Sequence, residues 1–296
     1  MGWIVLFLTV VFSSFLTITF KYFQKFGVNT SKAIVFNYLT AATLAFSFAG
    51  IVPSISNLFS YSWAWAAISV AVLFITLFNL MAITSQKIGI TQTSVANKTS
   101  FIFPALLGII FFKESFNLIK LTGIALALVA VFVSAKEKTE RATPKASNFI
   151  LIVLLFLGGG CLDMVLSYAE EELMQSSEVS VFSGYSFLIA GIFGALHLGY
   201  TLLIQKKSVK LKKEVIGGIA LGCINYFSIF TFLSALNYEA MESSVAFTAI
   251  NMGIIIVSSV LGSLLFHEKM NKNKLLAILL AVFAILLVSF SSELSF

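Results

Sequence analysis

Apolar residues run along this chain in blocks of about 20, and short polar breaks separate them. Such blocks match the roughly 30 Å of hydrocarbon that a helix must cross. Ten segments are placed this way, roughly 2–20, 33–53, 63–83, 90–111, 118–135, 148–168, 180–204, 216–236, 244–266 and 273–291. A backbone in lipid has to satisfy its own hydrogen bonds, so the segments are predicted as helices. The alternation that a membrane strand would need is missing. The expected fold is therefore an all-α polytopic membrane protein. The longest polar break, SAKEKTERATPKAS from Ser134 to Ser147, falls between segments five and six.

The two halves around that break resemble each other. At an offset of 154, Asn97 falls on Asn251, Gly108 on Gly262, Phe112 on Phe266, Glu114 on Glu268 and Lys120 on Lys274. Shared apolar residues would mean little, but coinciding polar residues and a glycine point to duplication. The chain divides into residues 1–140 and 141–296, each carrying five predicted spans. An odd number of spans inserts the second copy upside down, giving two inverted five-helix repeats, a plan common among secondary transporters.

Charge then fixes an orientation. Loops after odd-numbered spans carry sixteen basic residues, from Lys21 to Lys274, and the opposite loops carry two, Lys113 and Lys120. By the positive-inside rule the odd loops are cytoplasmic and both termini face outward. The acidic run Glu170, Glu171, Glu172 with Glu178 reads as an outside, solvated loop. Composition agrees with the membrane reading: 59% of the 296 residues are hydrophobic and 11% charged, against roughly a quarter charged in soluble domains. The net charge of +6 has no RNA-reading or zinc motif beside it, so anionic lipid is the expected counterpart and nucleic acid is not. The apolar start is expected to stay as the first span, since it runs too far for a signal peptide.

Charged and amide side chains inside the spans each need a reason, because lipid makes them costly. Lys98 lies within segment four and Asp163 within segment six. They are candidates for a central cavity that receives a carboxylate-bearing solute or a titratable switch, or for a structural pair. Asn97 and Asn251 hold equivalent positions, either bridging helices or touching solute. Asn79, Asn225 and Tyr226 complete the candidate cavity. Pro104 favours a kink, and Gly158, Gly159 and Gly160 allow either close packing or a bend. Glu114 and Glu268 open the turns before the last span of each repeat, where capping or loop pairing is expected.

No phosphate loop, HExxH or cysteine–histidine grouping occurs, so enzyme chemistry, a metal and a cofactor are not expected. The two cysteines, Cys161 and Cys223, lie in apolar runs and do not read as a disulfide framework.

The segments PALLGIIFFKESFNLIKLTGIALALVAVFV from Pro104 and SSVLGSLLFHEKMNKNKLLAILLAVFAILLV from Ser258 resemble the EamA-like branch of the drug/metabolite transporter superfamily. Its turn glutamates fall at Glu114 and Glu268, and its first-helix lysine at Lys21. The resemblance implies an inner-membrane secondary transporter, often an exporter of amino acids, metabolites or drugs. It also implies a cavity formed by spans one to four and six to nine, with homodimer contacts or support from spans five and ten. With no ATP-binding motif in the sequence, transport is expected to run on a solute gradient, on proton or sodium coupling, or on exchange. Family members commonly keep both termini in the cytoplasm, whereas the lysines here argue the reverse. The second repeat has Ser258 where Pro104 stands in the first. A receptor or scaffold built on the same bundle is the alternative reading.

Overall fold

A computed structural model describes residues 2–103, 106, 118–135, 146–205, 211–236 and 243–289. Its ten principal elements are helices: α1 (Gly2–Phe26), α2 (Thr30–Ala49), α3 (Ala64–Lys87), α4 (Ile90–Lys98), α5 (Leu118–Ala135), α6 (Ala146–Tyr168), α7 (Val179–Gln205), α8 (Lys212–Leu236), α9 (Ser243–Phe266) and α10 (Lys272–Ser289). There is no strand among the described residues. Seven of the helices, α1, α2, α3, α6, α7, α8 and α9, are long and apolar enough to cross a bilayer.

The boundaries follow local chemistry. Asn29 caps α2 by accepting from the Lys32 amide at 3.2 Å, and Gly50 ends it in the left-handed conformation that only glycine adopts without cost. Span two therefore stops at Ala49, short of the expected residue 53. Asn271, and not Glu268, caps α10, accepting from the Lys274 amide at 3.0 Å. Directly after α4 the chain tightens into a 3₁₀ turn at Thr99–Phe101. A proline at position 104 has no N–H for the carbonyl of Ser100, four residues back, which is where such a turn is expected. Pro104, Gly108 and Glu114 themselves lie outside the described residues.

Packing mixes the two halves of the chain. Helix α1 packs on α8 and α9, α2 lies between α7 and α8, α3 packs on α6 and α7, and α4 on α6 and α9. Helices α5 and α10 pair with each other to one side. Close approach depends on small residues. A Cβ on Gly218 would meet the Ala33 carbonyl at 2.5 Å, and one on Gly222 the Asn37 carbonyl at 2.6 Å. The glycine run of α6 also packs: added Cβ atoms would meet Leu77 at 2.6 Å from Gly158, Ser100 at 3.0 Å from Gly159 and the Phe103 ring at 2.0 Å from Gly160. Each of the three thus admits a different neighbour.

Apolar side chains such as Leu118, Leu121, Phe132, Leu157, Leu264 and Phe283 point outward, as lipid solvates them at no cost. At the end remote from the lysines, the Trp63 indole donates to Glu178 at 3.2 Å and the Tyr185 hydroxyl to the Ser54 carbonyl at 3.0 Å. Glu178 is therefore a structural tie between loops and not part of a solvated acidic run.

Candidate functional site

The interior holds a cavity of about 130 Å³ between α1, α3, α4, α6, α8 and α9. That is near the ~150 Å³ known to hold a benzene-sized guest and well below the ~300 Å³ at which drug-sized pockets begin. Four of the sequence candidates line it: Asn97 and Lys98 from α4, Asp163 from α6 and Asn225 from α8. Lys98 lies eight residues into α4, about 12 Å along the axis, deep enough to be near the bilayer centre.

The walls are unlike one another. Phe74, Leu77, Phe78 and Met81 of α3 make an apolar face. Asn225, Ser228, Ile229 and Phe232 of α8 follow the same i, i+3, i+4, i+7 spacing, each shifted by 151, but bring an amide and a hydroxyl. On α1 and α6, Leu16 and Thr17 correspond to Leu162 and Asp163 at a shift of 146. Lining positions on α3 and α8, and on α1 and α6, thus match in spacing and differ in polarity.

The charges lie on the α4–α6 contact. Ser100 Oγ is 2.8 Å from Asp163 Oδ2 and 2.5 Å from the Asn97 carbonyl. A hydroxyl has one proton, so it serves one of these two acceptors. Donation to Asp163 Oδ2 ties α4 to α6 at the cavity wall. Gly159 makes this arrangement possible, because any side chain there would press on Ser100 and Asn97. Among the described residues Lys98 donates no hydrogen bond and makes no ion pair. Opposite charges therefore face one cavity.

The remaining candidates are elsewhere. Asn79 donates to the Ile75 carbonyl of its own helix and accepts from Ser31, at 2.8 and 2.9 Å. Asn251 is buried in α9 and does not line the cavity. Tyr226 is stacked on Phe48 with ring centres 5.5 Å apart, facing away from the lining. Asn225 also donates to Asn37 at 3.2 Å, so it joins the cavity to the α2–α8 contact. Sequence reasoning passed over Ser13, Thr17, Ser94 and Ser228. Hydroxyls bond their own helix so readily that they carry no signal of depth.

The lysine-rich end is closed. Phe20 of α1 packs edge-on to Phe78 of α3 at 5.7 Å, and Tyr22 to Phe266 of α9 at 4.8 Å. Lys21 Nζ donates to the Ser85 carbonyl at 3.1 Å and lies 3.8 Å from Glu268, which accepts from the Ile90 amide at 3.0 Å. Helix α1 thus touches both α3 and α4. At the other end the corresponding contacts, α6 on α8 and on α9, are not comparably formed among the described residues.

No family model matches the chain. An uncharacterized protein of Haemophilus influenzae is 24% identical to it over 276 residues, 91% of each chain. A protein of known crystal structure has the same fold, with a TM-score of 0.62 at 13% identity, over 99% of this chain and 97% of that one. Fold and composition together define a polytopic α-helical membrane protein.

Proposed function

We propose that this protein is a secondary transporter of the EamA-like drug/metabolite type, built from ten spans in two inverted five-helix repeats. It moves a small amphipathic metabolite across the inner membrane by alternating access, and export is the favoured direction. One observation carries the reading: Lys98 and Asp163 face the same small interior cavity, against an apolar wall of α3. Charges kept inside a membrane protein at a cost of a few kcal/mol mark a pathway or a site. The matching spacing of lining residues on α3 and α8 supports the inverted repeat, and closure at the lysine-rich end, with no comparable contacts at the other among the described residues, supports alternation.

The cavity size favours an amino-acid-sized solute over a drug-sized one. A zwitterion fits best: its carboxylate meets Lys98, its ammonium meets Asp163, and its apolar group lies on Phe74, Leu77 and Phe78. Asp163 favours a proton over sodium as the coupling ion, since a carboxyl inside the membrane with one hydroxyl donated to it can take up and release a proton there. No enzyme activity is proposed.

The test is counterflow in proteoliposomes with radiolabelled neutral amino acids and small monocarboxylates, run with and without imposed proton and sodium gradients. Flux of a small zwitterion, driven by the proton gradient and lost in Asp163→Asn, is expected. Equal flux in Asp163→Asn and wild type would remove Asp163 from the site.

A further inference from the structure

Glu268 does something that its place before α10 does not foretell. Its Oε1 accepts from the backbone amide of Ile90, the first residue of α4, at 3.0 Å. Helix α4 follows Gly89, which has no side chain to cap with, so its first turn is capped by a residue 178 positions away. Just before this, α3 ends, and Lys21 Nζ donates to its last-turn carbonyls, Ser85 at 3.1 Å and Gln86 at 3.4 Å. Carbonyl ends of helices favour cations, and amide ends favour anions. The α3–α4 corner is thus held by a lysine at its negative end and a glutamate at its positive end. The two holders are themselves 3.8 Å apart.

Several features make this more than a surface ion pair. Lys21 belongs to α1 and Glu268 to the α9–α10 turn, whereas the carbonyls and the amide that they hold belong to α3 and α4. Each of these backbone contacts therefore ties the α3–α4 corner to α1 or to the α9–α10 turn. Glu268 is aimed by His267, the one non-glycine residue with positive φ (53°) among those described. Strain of this kind costs about 1–3 kcal/mol and is retained where the surroundings demand it. Gly262 admits the contact, since a Cβ there would lie 3.2 Å from Ile90. Lys274 lies 3.6 Å from Glu268 Oε2, but it belongs to the holder's own side. The shift of 146 that relates α1 to α6 takes Lys21 to Ser167, so the opposite end has no lysine at the matching position.

We propose that Lys21 and Glu268 form a charged clasp on the α3–α4 corner that keeps the lysine-rich end closed and positions the cavity helix α4. Both act as positioning residues, and neither lines the cavity. Releasing the corner lets α3 and α4 move from α1 and α9 and opens the cavity toward the lysine-rich side. The proposal takes its meaning in transport from the alternating-access reading, but its test does not depend on flux.

Nitroxide labels at Lys87→Cys and Met270→Cys, both exposed, span the clasp in a background lacking Cys161 and Cys223. Pulsed electron resonance in nanodiscs reads the distance between them. Wild type is expected to give one dominant distance. Glu268→Gln, and separately Lys21→Met, should add a longer population, raising the open-to-closed ratio about tenfold, while Lys274→Met leaves it unchanged. The double variant Lys21→Glu/Glu268→Lys separates a clasp from a plain ion pair. It restores a pair, yet it sets like charges against both helix ends, so the longer population should persist. An unchanged distance in the folded single variants, or recovery in the charge swap, overturns the proposal. Opening without any solute flux would leave the clasp standing and count against the transport reading instead.

Discussion

Replacing Lys98 by Met separates a solute-binding lysine from a structural one, because the two roles predict different pairs of numbers. Methionine keeps most of the apolar stem and removes the ammonium. Since Lys98 faces the cavity without a direct partner among the described residues, its loss breaks no hydrogen bond in the empty protein. Asp163 keeps the Ser100 hydroxyl, at 2.8 Å. Stability should therefore change by less than the roughly 3–5 kcal/mol that breaking a buried pair costs. Binding should suffer more. A charge-assisted contact to a carboxylate contributes about 1.5–3 kcal/mol, which is about 10- to 150-fold in Kd.

The assay is thermal unfolding of the purified protein in detergent, with and without the solutes that stabilise wild type. It is repeated for Lys98→Met, Asp163→Asn and the double variant. A solute reading predicts modest Tm changes in the empty protein and loss of solute-induced stabilisation in every variant. A structural pair predicts a large drop in each single variant, recovery in the double, and unchanged solute stabilisation in Lys98→Met. That second pattern would refute the assignment of Lys98.

Other substitutions test the packing around the site. Gly160→Ala should destabilise by about 1–3 kcal/mol, since its Cβ would fall 2.0 Å from the Phe103 ring. Gly199→Ala, with nothing within 4 Å, should be neutral or slightly stabilising, and thermal melts compare the two. Asn271→Ala should cost about 1 kcal/mol through loss of the α10 cap, with no change in solute preference. Phe78→Ala should widen the cavity and move affinity toward solutes with larger apolar groups. An unaltered ranking across a homologous series would place the α3 wall outside the site.

Much of this protein was determined by its sequence alone. Blocks of about 20 apolar residues cannot be hidden in a soluble fold of 296 residues, so the spans and their helical character follow from bilayer thickness and backbone hydrogen bonding. The boundaries of α3, α6, α8 and α9 fall within a few residues of those expected. Lys98 and Asp163 also stood out from sequence, because a charge in lipid is costly wherever it points. What sequence could not decide is what each interior residue faces. Helical periodicity separates the lipid side from the protein side, but the protein side of one helix meets several neighbours. Asn97 and Asn225 line the cavity, whereas Asn79 bonds to Ile75 and Ser31 and Tyr226 stacks on Phe48. No sequence pattern records that Leu77, Ser100 and Phe103 lie against the glycine run of α6. Only the tertiary structure brings Glu268 to Lys21 and to the first turn of α4. Helix ends are brought together by packing, and no local pattern records which side chain will satisfy an amide on another helix.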